Sequence, residues 1–258
     1  MVLVALVAGA CVGVAVGLAG GGGAVLAVPM LVYLLDQSVH AATTESLVIV
    51  VAASGAGAVG HARHHTVCWR LAAAFAAAAL PGSVVGTLAN RAFAAEVLLG
   101  AFAVLLLGVS ILTWRQGRRA GIDGPDGCPD INLRVVALAG FAIGSLTGLF
   151  GVGGGFAVVP ALVLLLQVPI RRAIATSLVI VTVVSTAGLA EHLVADAGIA
   201  WDVALPFAAA AMVTAALGGT LARRIPQQVL VRGFAVLLAG LAVYLIVSVT
   251  LLGGPPNG

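Results

Sequence analysis

Two glycine-rich segments carry the chemistry that this sequence suggests first. They are Gly20-Gly21-Gly22-Gly23 and Gly151-Val152-Gly153-Gly154-Gly155, and each lies inside a long apolar region. Glycine inside a helix costs about 1 kcal/mol relative to alanine, so each segment predicts a broken helix, with Ala24 and Phe156 beginning the next one. The first N–H groups of a helix carry a partial positive charge, and glycine lets an anion approach that backbone closely. We expect an anion site where the two breaks meet, although close helix packing alone is an alternative reason for the glycines.

Hydroxyl side chains follow each glycine segment at a similar distance along the chain. They are Thr43, Thr44 and Ser46 in the first case and Thr176 and Ser177 in the second. These groups can donate hydrogen bonds to an oxyanion bound near the glycines. Ser and Thr are also routine N-caps, so the same residues could simply open the next helix. The sequence leaves both interpretations open.

Glu45, His61 and His192 are the ionisable side chains that could couple transport to protons. An acid deep in a membrane is expensive and usually functional, whereas an acid in the first turn of a helix at the outer interface is solvated and favoured by the helix dipole. We favour the second interpretation for Glu45. Histidine titrates near neutrality, but a histidine at a helix C-terminus is also favourable without any function. The two histidines are expected on opposite faces of the membrane, and the structural interpretation is favoured for them.

An internal repeat relates the two glycine segments at an offset of 131 residues. Gly20 corresponds to Gly151, and Pro29 corresponds to Pro160. His61 corresponds to His192, and after a one-residue slip Trp69 corresponds to Trp201. Matches of glycine, proline, histidine and tryptophan in register are a strong signal of duplication.

Composition places the chain in a membrane. Hydrophobic residues make up 62% of the 258 residues, charged residues make up 8%, and the mean hydropathy is +1.20. These values exclude an ordinary soluble domain. All 12 basic residues are arginines, and they lie mostly in connections, where they are read as topology signals rather than as nucleic-acid contacts. The three cysteines form no metal or pairing pattern, so we expect neither metal nor disulfide, and no cofactor motif appears.

Each half of the sequence predicts five helical segments. The two halves, residues 1–114 and 133–252, flank a linker at 115–132 and together form one transport domain. The second segment of each half has only about 12 residues, or about 18 Å, so each glycine-broken pair is either a tight two-span hairpin or a re-entrant pair. The predicted segments are Val2–Gly17, Ala24–Leu35, Thr43–Gly60, Arg70–Ala89, Ala95–Trp114, Arg134–Gly148, Phe156–Gln167, Arg172–Glu191, Val203–Ala222 and Gln228–Leu252.

The arginines predict that the halves cross the membrane in opposite directions. Arg115 and Arg134 place the linker in the cytoplasm, and Arg171 places the connection before the eighth segment there too. The corresponding connection of the first half contains Asp36 and no arginine, which predicts that it lies outside. An odd number of spans per half then gives an inverted repeat with both termini outside.

The glycine segment with its proline at Gly151–Pro160, the Ala175-Thr176-Ser177-Leu178 segment and the duplication resemble the TauE/SafE sulfite exporter family over nearly the whole chain. The resemblance implies a bacterial-type inner-membrane protein that moves small anions such as sulfite, thiosulfate, sulfonates or carboxylates. This chain departs from the family pattern at Thr44-Glu45-Ser46, where an ionised Glu45 would repel an anion.

The sequence therefore predicts an all-α membrane transporter, acting as an exporter, with a small anion and the lipid bilayer as its partners. A homo-oligomer is compatible with this prediction, and neither enzymatic activity nor nucleic-acid binding is expected. The alternatives are an anion channel, or a membrane component of a sulfur-metabolism system without transport activity of its own.

Overall fold

Helices form most of the described structure, a computed structural model. It describes residues 2–35, 37, 39–62, 66–90, 95–117, 128, 132–150, 155–194, 199–222 and 226–251. Ten α-helices and a 3₁₀ helix between the first two follow one another along the chain. They are α1 (Val2–Ala19), the 3₁₀ helix (Gly20–Leu26), α2 (Ala27–Leu34), α3 (Val39–Ala62), α4 (Trp69–Asn90), α5 (Ala95–Gly117), α6 (Leu133–Phe150), α7 (Gly155–Leu164), α8 (Ile170–Val194), α9 (Trp201–Ala222) and α10 (Gln227–Leu251).

The ten predicted segments and the all-α fold are confirmed, with ends that shift by a few residues. Among the described residues, five helical stretches are long and apolar enough to cross a membrane: Val2–Leu34, Ala41–Ala62, Trp69–Ala89, Ile170–Glu191 and Trp201–Gly219. Shorter apolar helices lie in α5, α6 and α10. Trp69 and Trp201, at the starts of α4 and α9, are 59% and 51% exposed, as expected for anchors at a membrane interface.

The first glycine break differs from its prediction. The glycines do not leave an opened backbone before a helix at Ala24, because residues 20–26 continue as a 3₁₀ helix and α2 begins only at Ala27. Gly20 has a φ of +71°, a conformation that glycine adopts without penalty. The chain turns back there, since a Cβ on Gly23 would lie 2.8 Å from the Cβ of Ala15. Seven consecutive 3₁₀ residues are unusual, and such stretches often mark a hinge.

The first helix of each half packs against the fourth helix of the other half. α1 lies along α9 and α6 lies along α4, each pair running parallel, and in both pairs glycines let the backbones touch. This is the close-packing role of small residues in membranes, and it explains these glycines without any ligand. The contacts are Gly9 with Phe207, Gly13 with Ala211, Gly17 with Ala215, Gly140 with Phe75, Gly144 with Ala79, and Gly148 with Ser83.

The two corresponding helices α3 and α8 cross each other in an antiparallel direction. Leu47 of α3 lies beside Gly188 of α8, and Gly57 of α3 lies beside Leu178 of α8. Leu47 and Leu178 are equivalent positions in the repeat, as are Gly57 and Gly188. Near the middle of the contact, the hydroxyl of Thr182 lies 2.9 Å from that of Ser54. The two leucine–glycine contacts therefore join equivalent positions of the repeat in exchanged order.

One cysteine expectation is wrong. Cys68 and Cys128 form a disulfide with a Cα–Cα distance of 5.8 Å, and Cys11 is free. The separation of 60 residues gave no signal in the sequence, because the pairing depends on how the linker returns to the start of α4.

Candidate functional site

The two glycine segments meet in the interior. A Cβ placed on Gly21 would lie 3.1 Å from the Cα of Gly155, and a Cβ on Gly155 would collide with the carbonyl of Gly21. Gly20 to Gly23, Ala24 and Gly155 are all buried. The backbones therefore touch at a place where no side chain larger than hydrogen fits on either residue.

The first glycine segment also reaches the hydroxyl segment of the second half. A Cβ on Gly20 would lie 2.5 Å from Oγ of Ser177 and 3.3 Å from the Cα of Ile174. Three predicted site residues, Gly20, Gly21 and Ser177, therefore cluster with Gly155. Gly151, Gly153 and Gly154 lie outside the described residues, as does the side chain of Phe156.

Side chains close the described part of this site. Val181 packs on Gly21, and the ring of Phe234 packs on Gly22. Beside them lies a cavity of about 10 Å³ with an apolar lining that includes Gly144, Thr147 and Val181. Such a volume holds at most one water. The described residues therefore pack closely around Gly21 and Gly22.

The hydroxyl residues lie inside their helices and do not open them. α3 begins at Val39 and α8 begins at Ile170, so the N-cap interpretation is wrong for Thr43 and Thr176. Thr44, Ser46, Thr176 and Ser177 are buried, and Thr43 is half-buried. Ser46 donates its hydroxyl hydrogen to the carbonyl of Thr43, and Ser177 repeats this bond to Ile174. In this closed state those two hydroxyl hydrogens are used within their own helices.

Glu45 is fully buried, which corrects our expectation of a solvated acid. Its Oε1 accepts a hydrogen bond of 3.1 Å from the backbone N–H of Ala200, the residue immediately before α9. Its Oε2 is buried without a hydrogen-bond partner. The interaction supplies an acceptor to a helix start, where backbone N–H groups lack partners within the helix and a carboxylate is favoured. Burial follows because α3 starts six residues earlier than Glu45 and α9 covers this turn.

Thr176 makes the equivalent contact from the other half. Its Oγ1 accepts a hydrogen bond of 3.1 Å from the backbone N–H of Cys68, the residue immediately before α4. Thr176 corresponds to Glu45, and Cys68 corresponds to Ala200. Each half therefore caps a helix of the other half, once with a carboxylate and once with a hydroxyl. We refer to the two hydrogen bonds as the Glu45 contact and the Thr176 contact.

His61 does not join this site. His61 lies near the end of α3, and its Nδ1 is 3.0 Å from the carbonyl oxygen of Gly57. Sixteen residues of helix, about 24 Å, separate it from Glu45. Its ring packs close to Gly219 of α9. The side chain of His192 lies outside the described residues.

Sequence reasoning missed Ala200 and Cys68 as functional positions, because each contributes only its backbone N–H to these contacts. A signal was present nevertheless. Trp69 and Trp201 matched in the repeat, and each directly follows one of these residues. A matched helix start in each half implies a matched need for a cap.

Comparison with known proteins gives the following likeness. Residues 5–245 match the sequence model of the family described as "Sulfite exporter TauE/SafE". The chain is 32% identical over 252 residues to a "Probable membrane transporter protein" of Xylella fastidiosa (strain 9a5c), covering 95% of this chain and 94% of that protein. It is 25% identical to a similarly named protein of Bacillus subtilis (strain 168), covering 90% of each chain. No solved structure matches the chain at the significance that these relatives reach.

Proposed function

The chain belongs to the TauE/SafE sulfite exporter family, and from this membership we propose that it exports small sulfur-containing or organic anions, such as sulfite, thiosulfate or sulfonates. It is a multi-pass membrane protein, and its relatives are named as transporters, which supports a transport role rather than catalysis. The name of the family supports a sulfur oxyanion as the substrate class.

The observation that carries this proposal is the contact between Gly21 and Gly155. We assign the anion site to this contact and to the glycines of both segments, with Ser177 and the neighbouring hydroxyls as donors. A broken helix near the middle of a membrane, contributed by each of two repeats, is a recurrent way to bind a charged solute in transporters. The long 3₁₀ helix and the turn at Gly20 support movement at this point.

We assign the two repeats, residues 1–114 and 133–252, to one transport domain joined by a cytoplasmic linker at 115–132. The antiparallel crossing of α3 and α8 supports the inverted arrangement. The arginine pattern supports the inner membrane of a bacterial-type cell, with both termini outside. Movement of the glycine hairpins against the other helices then exposes the site to each side in turn.

The membrane potential supplies a direction. With the cell interior negative, an anion that moves alone is driven outward by about 2.3 kcal/mol per charge per 100 mV. Electrogenic uniport is therefore the simplest scheme. Glu45 adds proton coupling to this scheme, since its buried Oε2 offers a place for a proton close to a contact between the halves.

Purified protein in proteoliposomes tests the proposal. We expect sulfite or a sulfonate to leave the lumen when a potassium gradient with valinomycin makes the lumen negative, and not when the potential is zero. Absence of flux with sulfite, thiosulfate, sulfoacetate, taurine and small carboxylates would contradict it. A thermal-shift screen with the same solutes gives an independent measure of binding, because a ligand stabilises the folded state by RT ln(1 + [L]/Kd).

The same proteoliposomes distinguish a transporter from two other classes of protein, a channel and a non-transporting partner subunit. A channel would show flux that does not saturate and no counter-transport of labelled substrate. A partner subunit without transport activity would bind no solute and show no flux alone. Saturable, counter-transporting flux excludes both.

A further inference from the structure

The disulfide between Cys68 and Cys128 joins the linker to the start of α4. The two sulfurs differ in environment, because Cys128 is exposed and Cys68 is only 2% exposed. The guanidinium Nη1 of Arg172 lies 3.6 Å from the Sγ of Cys128. One sulfur of the bond is therefore accessible from solvent and lies beside a fixed positive charge.

We propose that Cys128 is a covalent reaction site for anionic sulfur nucleophiles, with sulfite as the reagent of the class. The choice of sulfite rests on the proposed function, whereas the reactivity rests on the disulfide and its surroundings. The site is separate from the glycine contact, and it lies on the linker side of α4 and α8. The protein thereby responds covalently to the kind of anion that it exports.

The reaction balances without any further reagent. The sulfur lone pair of sulfite attacks Sγ of Cys128, and a new S–S bond forms as the bond between Cys128 and Cys68 breaks. The electron pair of the broken bond leaves on Sγ of Cys68 as a thiolate. The products are S-sulfocysteine at position 128 and a free thiolate at position 68. The disulfide is reduced by two electrons while the sulfur of sulfite is oxidised by two.

Three features of the structure direct the attack. The buried sulfur of Cys68 is shielded, so the anion reaches Cys128. Arg172 attracts the anion and stabilises negative charge as it approaches. Cys68 directly precedes α4, and its carbonyl accepts the N–H of Ala72, so the departing thiolate forms at a helix N-terminus, where thiolates are stabilised.

The predicted cytoplasmic position of the linker agrees with a reactive bond. Disulfides in that compartment are transient, because cellular thiols reduce them. The backbone N–H of Cys68 also forms the Thr176 contact, so opening of the disulfide frees the linker from the helix start that this contact holds. Covalent reaction at Cys128 is thus linked to a contact between the two halves.

Peptide mass spectrometry of the detergent-purified, air-oxidised protein tests the site. After treatment with sulfite and then a maleimide, we expect one added SO₃ group on Cys128 and maleimide on Cys68, besides the maleimide that the free Cys11 takes up with or without sulfite. Sulfate, an oxyanion without a nucleophilic sulfur, should give neither. An adduct on Cys68, a free thiol at Cys68 or Cys128 in the untreated protein, or no adduct at all would overturn the proposal.

Two arginine variants separate charge from structure. We expect Arg172→Gln to slow the reaction with sulfite about tenfold, and Arg171→Gln, the neighbouring arginine, to change it by less than about twofold. Opening of the disulfide by a neutral phosphine should differ by less than about twofold among all three proteins. Equal slowing of sulfite and phosphine by Arg172→Gln would assign Arg172 a merely structural role and contradict the proposal. Sulfite flux in a Cys68→Ser/Cys128→Ser variant reports on transport separately, so either proposal can fail alone.

Discussion

Oε1 of Glu45 and the backbone N–H of Ala200 join the third helix of the first half to the fourth helix of the second half, at 3.1 Å. The Thr176 contact repeats this geometry with the halves exchanged. In a transporter with inverted repeats, equivalent contacts lie on opposite sides of the membrane, and opening toward one side disrupts one of them. Only the Glu45 contact contains a group that can bind a proton, so the two contacts are chemically unequal.

Replacement of Glu45 by glutamine should uncouple proton movement from transport. Glutamine keeps the acceptor oxygen for Ala200 but cannot ionise. We expect sulfonate flux to persist while the accompanying change of lumen pH disappears, measured with a trapped pH dye in lightly buffered proteoliposomes. A sulfonate is the appropriate substrate because it takes up no proton near neutrality.

Thr176→Val provides the matched control for Glu45→Gln. This variant leaves the N–H of Cys68 without its side-chain acceptor, which costs about 1–3 kcal/mol of stability, but it removes no proton-binding group. The change of lumen pH per sulfonate moved should therefore equal that of the unmodified protein. A Glu45→Gln protein that still moves protons with the sulfonate would contradict the assigned role.

The glycine contact predicts a sharp difference between glycines. Alanine at Gly20 requires a positive φ, which costs about 1–2 kcal/mol, and meets Ser177 as well. Alanine at Gly21 overpacks against Gly155 and Val181, a cost of about 1–3 kcal/mol. Both variants should melt several degrees lower in a detergent thermal shift, and their flux should fall.

Gly240→Ala is the control for these glycine variants. Nothing lies within 4 Å of a Cβ at this position in α10, so alanine should stabilise the helix by about 0.5–1 kcal/mol. Similar melting of the Gly20→Ala, Gly21→Ala and Gly240→Ala proteins would show that the glycine contact is not formed.

The sequence was sufficient to predict the helices because hydropathy and the repeat act locally. It also predicted that Gly20, Gly21, Gly155 and Ser177 lie close together, since the matched breaks implied a common axis. The sequence did not predict features that depend on contacts with backbone far away in the chain. The sequence predicts a solvated Glu45, because it does not reveal that α9 begins against this side chain.

The cysteines show the same limit. Cys68 and Cys128 carry no spacing signal, and their pairing follows only from the return of the linker to α4. The conformation of the backbone at the first glycine segment could not be predicted from the sequence either. Several glycines in a row predict an opened backbone as readily as the 3₁₀ helix that forms at Gly20–Leu26.

Two equivalent serines should respond oppositely to alanine. Ser54 donates a hydrogen bond to the carbonyl of Val50 and accepts one from Thr182, so Ser54→Ala should destabilise the protein by about 1 kcal/mol. The hydroxyl of Ser185, its repeat equivalent, is buried without a partner. Ser185→Ala should therefore be neutral or stabilising by about 1 kcal/mol, as measured by the melting temperature in detergent. Equal losses in the two variants would indicate that Ser185 also makes a hydrogen bond.

Cross-linking should report the crossing of α3 and α8. In a variant with Cys11, Cys68 and Cys128 replaced by serine, Ser54→Cys with Thr182→Cys should form a disulfide under mild oxidation, because the two hydroxyl oxygens are 2.9 Å apart. In the pair Ser54→Cys with Thr186→Cys, the second cysteine lies about 6 Å further along α8 than position 182. This pair should therefore remain reduced. Cleavage of the linker followed by electrophoresis distinguishes linked from separate halves. Preferential linking of the Thr186 pair would contradict the register of the two helices.

Orientation in the membrane is tested with single cysteines at two positions that are expected on opposite faces of the membrane. In the same cysteine-free background, Leu193→Cys, at the exposed end of α8, is expected outside, and Asn132→Cys, exposed just before α6, is expected in the cytoplasm. A maleimide that does not cross membranes should label the first in intact cells and the second only after permeabilisation. Both positions are exposed, so a difference in labelling reflects the side of the membrane rather than burial. The reverse pattern would place the arginine-rich linker outside, contrary to the charge rule, and would move the Cys68–Cys128 disulfide to an oxidising compartment, where it would persist.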